Sequence, residues 1–318
     1  MEHILSWLIW LPIIGMVAIA FIPRDKEDVI KITAAATTGL QFLLTLVLWK
    51  NFDSGSGAMQ FMERAEWIPS FNIAYILGVD GLSLPMAILT GLLCFLGIFV
   101  SWNINKAVKG YFALFLLLDT GIMGVFLSMD FFLFYIFWEV MLLPMYFLIG
   151  IWGGPQREYA AIKFFLYTLF GSVLLLVGIL GLYFSCGKTF DILELMQVAP
   201  QALGGVMWWG MSGIKVIWIL LFIGFAIKVP VFPFHTWLPL AHVEAPTAIS
   251  VLLAGILLKL GVYGILRVNY GLMPDGVYWF SGALAFLGLI NVIWGGLCAL
   301  AQTDLKKLVA YSSVNHMG

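Results

Sequence analysis

The sequence has few charged residues, and this scarcity sets the class of protein. Asp, Glu, Lys and Arg make up 10% of its 318 residues, whereas hydrophobic residues make up 62%. A soluble domain carries about 25% charged residues, which keep its surface hydrated. A chain with so few must lie mostly in lipid, so we predict a membrane protein.

The sequence also lacks the motifs of several kinds of chemical site. Its three cysteines, Cys94, Cys186 and Cys298, stand far apart without a C-x-x-C pair, so we expect no metal site and no disulfide framework. No glycine-rich nucleotide motif, Walker A motif or nucleophile elbow occurs in a suitable setting, and we expect no cofactor in this chain. A net charge of −1 argues against a nucleic-acid partner.

What the sequence does contain is a series of apolar runs. A transmembrane helix needs about 20 apolar residues. Nine segments qualify: 3–22, 30–49, 80–102, 111–128, 131–152, 159–184, 212–238, 246–267 and 277–300. A tenth begins near Asp304, and we interpret the chain as part of a longer protein because no polar tail follows it.

We interpret residues 1–318 as one domain of an all-α, polytopic membrane protein. Two N-terminal helices and an outer loop form 1–79, and a third helix lies in 80–110. A five-helix unit follows in 111–268, and residues 277–318 begin a second, incomplete unit. Transporters are often built from two such units in inverted orientation.

Basic residues in alternate loops predict which side faces the cytoplasm, where Lys and Arg are enriched. Five lie on one side: Lys50, Arg64, Lys188, Lys215 and Arg267. Nine lie on the other: Arg24, Lys26, Lys31, Lys106, Lys109, Arg157, Lys163, Lys306 and Lys307. This asymmetry predicts that the N-terminus lies outside.

Four charged residues inside apolar runs are the main candidates for function. Glu139 follows Asp130, the predicted outer boundary, by nine residues, which places it about 13 Å deep. Lys228 and Lys259 lie near mid-depth in later segments, and Asp119 is the fourth. Charged groups inside a bilayer are costly, and they either pair with one another or mark ion pathways.

Two interpretations of these residues are open, structural ion pairs and a proton relay. A buried lysine can hold or release its proton according to the charge of a nearby carboxylate, whereas arginine stays charged. Lysine at both amine positions therefore favours a relay that involves Glu139, Lys228 and Lys259. For Asp119 the two interpretations remain equally open.

The segment that carries Lys228 also predicts a broken helix. Prolines remove helical hydrogen bonds, and three of them follow the lysine: Pro230, Pro233 and Pro239. Broken backbone at membrane depth needs protein or water to cover it, so we expect the freed carbonyls, Lys228 and His235 to hold water. His235 and His242 can titrate near neutral pH, which suits proton transfer. A plain proline kink with hydrogen-bonding histidines is the alternative.

Three blocks of sequence carry a resemblance to a known family. They are DFFLFYIFWEVMLLPMYFLIGIWGG, IKVPVFPFHTWLPLAHVEAPTAISVLLAGILLKLGVYG and DLKKLVAYSSVNHMG. They resemble the antiporter-like subunits of respiratory complex I, the proton-pumping NADH–quinone oxidoreductase. The resemblance runs from about residue 80 to the end, and the wording around Glu139 is nearer to the M type than to the L type.

The resemblance implies an antiporter-like inverted repeat of five-helix units, with a proline-broken helix in each. Glu139 matches the glutamate that modulates a half-channel lysine, and Lys228 matches that lysine. Lys259 matches the connecting lysine, while His235 and His242 match positions near the connecting path. Relatives often carry Asp or Lys where this chain has Leu240, which puts a charge at the inner turn in doubt, and relatives commonly have an acid at the position of Asp119.

The resemblance also implies a function and a setting. The chain would translocate protons as a membrane-arm subunit of NADH:quinone oxidoreductase, with neighbouring antiporter-like subunits and membrane lipid as partners. NADH, FMN, the iron–sulfur clusters and quinone would bind other subunits. The setting would be the bacterial inner membrane, or alternatively the mitochondrial inner membrane. A subunit of a multi-subunit cation/proton antiporter and a scaffold with static ion pairs are the competing hypotheses.

Overall fold

The computed structural model describes residues 3–208 and 210–318, most of which are helical. The first half contains α1 (Ile4–Phe21), α2 (Glu27–Lys50), β1 (Gln60–Ile68), β2 (Ile73–Val79), α3 (Ser83–Val100), α4 (Val108–Leu127), α5 (Phe131–Val140) and α6 (Leu142–Trp152). The second half contains α7 (Arg157–Ser185), α8 (Ile192–Gly204), β3 (Met207–Trp208), β4 (Met211–Ser212), α9 (Gly213–Lys228), α10 (Leu238–Glu244), α11 (Thr247–Leu252), α12 (Leu258–Gly264), α13 (Pro274–Leu300) and α14 (Leu305–Met317).

Eight of the predicted spans are helices long and apolar enough to cross a membrane within the described ranges. The span at 131–152 is divided at Met141 into α5 and α6. The span at 247–270 contains two π-helical segments, Leu253–Leu257 and Ile265–Tyr270, on either side of α12. The chain is therefore a multi-pass membrane protein, as its composition predicts. Its division into units at the predicted boundaries stays a prediction.

The remaining predicted span, 212–238, is broken as its prolines predict. Helix α9 ends at Lys228, and a short irregular stretch leads into a 3₁₀ turn at Phe234–Trp237 and then α10. Proline has no N–H to donate and its ring clashes with the preceding turn, so the helix cannot continue through this segment.

An antiparallel hairpin covers the outer ends of several helices, and the sequence did not predict it. Strands β1 and β2 pair with Arg64 opposite Ile76. The hairpin joins the α4–α5 loop, since Met129 N donates to Ile76 O at 2.8 Å, and it joins α1, since Leu5 N donates to Glu63 Oε1 at 2.8 Å. A search for apolar runs misses β1 because most of its side chains are exposed.

A second outer element, α8, lies in the loop 185–211. Asp191 caps its first turn by accepting a hydrogen bond from Leu193 N at 2.9 Å. One face is buried at helical spacing, through Ile192, Leu195, Ala199 and Leu203. With 13 residues it is too short to span a bilayer, and because its cap Asp191 pairs with Arg64 of β1, it lies on the same side of the bundle as the hairpin.

Helices α7 and α9 pack closely through glycines. A Cβ atom at Gly224 would lie 2.9 Å from the carbonyl oxygen of Gly171, and one at Gly178 would lie 2.6 Å from Leu221. Such contacts exclude any larger side chain unless the helices separate. They fix the helix that ends in Lys228 against α7.

Candidate functional site

The break after α9 is closed by protein groups. Trp237 Nε1 donates to Ile227 O at 2.9 Å, and Val231 N donates to Ala226 O at 2.9 Å. We expected the freed carbonyls to hold water, but that of Ile227 already has a protein donor. Part of the backbone freed by the break is therefore paired within the protein, as membrane depth requires.

Asn291 of α13 completes this closure, and the sequence reasoning missed it. Its Oδ1 accepts a hydrogen bond from Phe232 N at 2.7 Å, and its Nδ2 donates to Pro230 O at 3.2 Å. The side chain is buried, so these two bonds are exchanged away from water. A search restricted to ionisable residues passes over an uncharged amide in an apolar run, although such an amide is itself a signal.

Lys228 is buried beside two aromatic rings. Its Nζ lies 5.4 Å from the ring centre of Trp138 and 5.7 Å from that of Phe164. It has no hydrogen-bond partner among the described residues. The ring faces attract an ammonium, but they offer no acceptor that fixes its position.

Glu139 is the predicted carboxylate partner of Lys228. It stands beside Trp138 near the end of α5, and its Oε1 is buried without a hydrogen-bond partner in the described part of the chain. No nitrogen–oxygen contact of 4.0 Å or less joins the two side chains. The two side chains are thus not in contact as an ion pair, and their action as a relay stays a prediction.

Lys259 donates to a backbone carbonyl in an irregular part of its own helix. Its Nζ donates to Ala254 O at 2.6 Å, inside the π-helical segment Leu253–Leu257. A π-helical turn displaces carbonyls from the ordinary helical pattern, and such turns are frequent at functional sites. The amine is half-buried and points back along its helix.

Both predicted histidines are buried and keep one ring nitrogen without a partner in the described ranges. The ring of His235 stacks on that of Phe232, with centres 5.6 Å apart, and its Nδ1 is unpartnered. His242 Nδ1 contacts Ser250 Oγ, and its Nε2 is unpartnered. Each ring can therefore still accept or donate a proton.

Asp119 lies in a different cluster from the lysines. Gln41 Nε2 donates to Asp119 Oδ1 at 3.3 Å and also to Leu8 O at 2.9 Å, and Cys94 lies alongside. Asp119 of α4 therefore contacts α2 and α3, and Gln41 links it to α1. The structure does not bring it together with Lys228, and its role stays a prediction.

Outside the spans, two acids of the described chain, Asp130 and Asp80, have clearly shifted pKa values. Burial raises the pKa of Asp130 to about 6, even though Leu133, Ala74 and Phe132 donate backbone hydrogen bonds to it. Partial burial opposes ionisation of Asp80, but hydrogen bonds and charge from Arg267 prevail and lower its pKa. Arg267, which the sequence reasoning counted as an ordinary loop cation, is in fact buried.

No group of three or more His, Cys, Asp or Glu side chains that could hold a metal ion occurs in residues 3–208 and 210–318. The expectation that this chain holds no metal and no cofactor stays a prediction.

These features define a class: a multi-pass membrane protein with a broken helix and buried ionisable residues at the break. The chain belongs to the family described as NADH:quinone oxidoreductase/Mrp antiporter, transmembrane, whose pattern matches residues 128–318. That range contains Glu139, Lys228 and Lys259, so the predicted resemblance is confirmed.

Named relatives agree with this family. Subunit M of NADH-quinone oxidoreductase from Rickettsia conorii is 42% identical over 324 residues, which cover 99% of this chain and 64% of the relative. The corresponding subunit M from Rhodobacter capsulatus is 42% identical, with 100% and 63% covered. NAD(P)H-quinone oxidoreductase chain 4-2 from Synechocystis is 41% identical, with 100% and 56% covered. The chain thus spans between about half and two thirds of the length of these relatives.

Two solved structures share the fold. One is respiratory complex I from Thermus thermophilus with bound NADH, with a TM-score of 0.85 at 28% identity over 98% of this chain and 62% of the matched chain. The other is the membrane-bound sulfane sulfur reductase, an archaeal respiratory membrane complex, with a TM-score of 0.88 at 24% identity over 99% and 63%. The second likeness concerns the fold alone.

Proposed function

We propose that this chain translocates protons as an M-type, antiporter-like subunit in the membrane arm of NADH:quinone oxidoreductase. The observation that carries the proposal is Lys228, a buried amine with no hydrogen-bond partner in the described chain, placed where a membrane helix breaks. Membrane proteins rarely tolerate such a group unless it serves an ion pathway.

The electrostatics of the pair support a relay. Glu139 and Lys228 make no direct contact, so a small movement or neutralisation of the carboxylate would change the field at the amine while no hydrogen bond between the two has to break. A lysine can respond by releasing its proton, which an arginine cannot do. The aromatic rings around Lys228 attract its ammonium, but they offer no hydrogen-bond acceptor that would fix its proton.

The other predicted residues extend this pathway. Lys259 is the next amine along the chain, and its acceptor Ala254 O lies in a π-helical turn that a helix shift can remake. The free ring nitrogens of His235 and His242 suit proton entry from the inner side. We therefore assign Glu139 as the modulating acid, Lys228 as the central relay and Lys259 as the connecting relay.

The proposal places the redox chemistry in other subunits. NADH, FMN, the iron–sulfur clusters and quinone would bind there, and quinone reduction would drive the charge rearrangement that reaches Glu139. The partners would be other membrane-arm subunits, including neighbouring antiporter-like chains, within a bacterial inner membrane or alternatively a mitochondrial inner membrane. The enzyme activity would belong to the whole complex.

The experiment is a Lys228→Ala variant in the intact complex, reconstituted into vesicles after assembly is checked. NADH oxidation and vesicle proton uptake are followed together, and we expect both to fall about tenfold or more. Lys215→Ala is the matched control, because Lys215 lies on the same helix with its Nζ 4.9 Å from the ring centre of Trp279. Normal rates in an assembled Lys228→Ala complex would refute the relay.

A second candidate is a subunit of a multi-subunit cation/proton antiporter, which the family description also includes. Such a complex exchanges ions without an electron donor. Proton movement that depends on a sodium or potassium gradient and ignores NADH in the same vesicles would favour this candidate.

A further inference from the structure

A polar cluster at the outer end of the 247–270 span is not used by the relay. Arg267 donates to Asp80 through Nη1 at 2.8 Å and through Nη2 at 2.6 Å, and its Nε donates to Tyr263 Oη at 3.3 Å. Tyr263 in turn donates to Phe126 O at 3.0 Å. The side chain of Arg267 is 7% exposed and that of Asp80 is 20% exposed, so this is a largely buried, bidentate ion pair tied to a tyrosine.

This cluster shares a helix face with Lys259. Lys259 and Tyr263 are four residues apart in α12, and Tyr263 and Arg267 are four apart again with a direct contact between them. Side chains at this spacing lie one above another. Polar side chains at 259, 263 and 267 therefore follow one face of the helix toward Asp80 and the outer surface, and we call them the polar file; within it, Tyr263 and Arg267 are in direct contact.

The donors and acceptors in the polar file are arranged so that a proton cannot pass along it from Lys259 to Asp80. Tyr263 Oη accepts from Arg267 and gives its own proton to Phe126 O, so it offers nothing to Asp80. The next group outward, Arg267, is a fixed cation that keeps its protons. The amine of Lys259 is bonded to Ala254 O, on the side away from Tyr263.

We infer that Arg267, held by Asp80 and Tyr263, is an electrostatic barrier that closes the outer end of the polar file beginning at Lys259. Fixed arginines exclude protons from other membrane pores by the same physics. The barrier keeps a proton on Lys259 from leaving directly to the outer side, so it must pass on laterally. This inference rests on the proposed relay, and it makes Arg267 a positioning residue for the direction of transfer.

The test is passive proton leak in vesicles that contain the intact complex and receive no NADH. The variant is Arg267→Met combined with Asp80→Asn, which removes both charges together and keeps an oxygen to cap Leu82 N and Ser83 N. With an imposed pH gradient and a clamped membrane potential, we expect the leak to rise about tenfold or more.

Two further variants distinguish loss of the electrostatic barrier from general damage to the membrane domain. Arg64→Met with Asp191→Asn removes the other outer arginine–aspartate pair, joined at 3.0 Å, and should leave the leak at its wild-type level. Adding Lys259→Ala to the leaky variant should return the leak to background, because the file begins at that amine.

Either of two leak results would overturn the barrier: no leak in an assembled Arg267/Asp80 variant, or a leak that persists after Lys259→Ala. A third result would also overturn it, namely loss of NADH-driven proton uptake in the Arg267/Asp80 variant without any leak. That result would make the polar file an exit route. The leak assay needs no electron transfer. Failure of the barrier is therefore distinguishable from failure of the relay, which the Lys228→Ala variant tests.

Discussion

A buried ammonium without a hydrogen-bond acceptor is costly, and at Lys228 two aromatic rings offset part of that cost. Trp138 and Phe164 present their faces at 5.4 and 5.7 Å. A ring attracts the charge but cannot take the proton, unlike a carboxylate in contact. Glu139, whose carboxylate makes no contact of 4.0 Å or less with the amine, is the acid that we propose to modulate Lys228.

The protonation of Asp130 should make the stability of the protein depend on pH. Burial raises its pKa to about 6, so the fold favours the protonated carboxyl. The stability that this contributes is fully present below about pH 4 and is lost as the pH rises through about 6. We expect Asp130→Asn, which keeps a capping oxygen for Phe132 N and Leu133 N, to gain several degrees in unfolding midpoint over wild type at pH 7.5 and about half as much at pH 5, where the unfolded carboxyl is already mostly ionised.

The measurement is thermal unfolding of the purified complex at both pH values. Asp53→Asn is the control, because it makes the same charge change at an exposed outer-loop residue. Equal differences from wild type at the two pH values for Asp130→Asn would contradict the assigned pKa.

Individual site residues differ in how far the sequence could reveal them. Glu139, Lys228 and Lys259 are visible because an ionisable residue in an apolar run needs no coordinates to be noticed. Asn291 and Arg267 gain their roles only through partners 59 and 187 residues away, Phe232 and Asp80. No local sequence pattern indicates such contacts. The residues of the proposed relay could therefore be predicted, whereas Asn291 at the break and Arg267 at the outer end of the polar file could not.

At the scale of elements, the broken helix is held by its neighbour rather than by itself. Asn291 fills both roles that the break leaves open, an acceptor for Phe232 N and a donor for Pro230 O. We expect Asn291→Ala to leave these buried groups unpaired, at a cost of about 1–3 kcal/mol each. Hydrogen exchange at 229–237 should then be at least about tenfold faster in the assembled complex, and proton uptake should fall.

The matched control for this variant is Asn315→Ala. Asn315 of α14 also donates to a backbone carbonyl of α13, Val292 O at 2.6 Å, but does not touch the break. Unchanged exchange at 229–237 in Asn291→Ala, or an equal change in the control, would show that Asn291 does not hold the break.

The elements themselves were predicted wherever lipid dictates their form. Long apolar runs gave the spans, and clustered prolines gave the break after Lys228. The hairpin of β1 and β2 and the short helix α8 escaped prediction because they lie outside the lipid, where no length rule applies. Their positions depend on distant contacts, such as Ala74 N to Asp130 Oδ2 at 3.2 Å.

At the scale of the whole molecule, the loops separate into two faces as their charges predict. On one face, Lys109 Nζ donates to Ala20 O at 2.7 Å, and Lys306 Nζ donates to Val243 O at 3.1 Å. On the opposite face, Arg64 pairs with Asp191. Lysines that cap carbonyls at helix ends stabilise the first face, and their enrichment there predicts that it is cytoplasmic.

The last prediction concerns this orientation. Ser56 lies in the exposed loop of the Arg64 face, and Asp25 lies in the exposed α1–α2 loop of the opposite face. Of the native cysteines, Cys94 and Cys186 are buried and Cys298 is partly buried. A membrane-impermeant maleimide should therefore label Ser56→Cys in intact cells, whereas it should label Asp25→Cys only after permeabilisation.

The reverse labelling pattern would contradict the predicted orientation and also the direction proposed for the relay. Asp80 and Arg267 lie on the same side as the Ser56 loop, so the barrier at Arg267 would then close the cytoplasmic end of the polar file. Lys259 would be shielded from its source of protons rather than from the outer side, and His235 and His242 could not serve as entry groups. The direction assigned to the relay thus depends on which loop the reagent reaches.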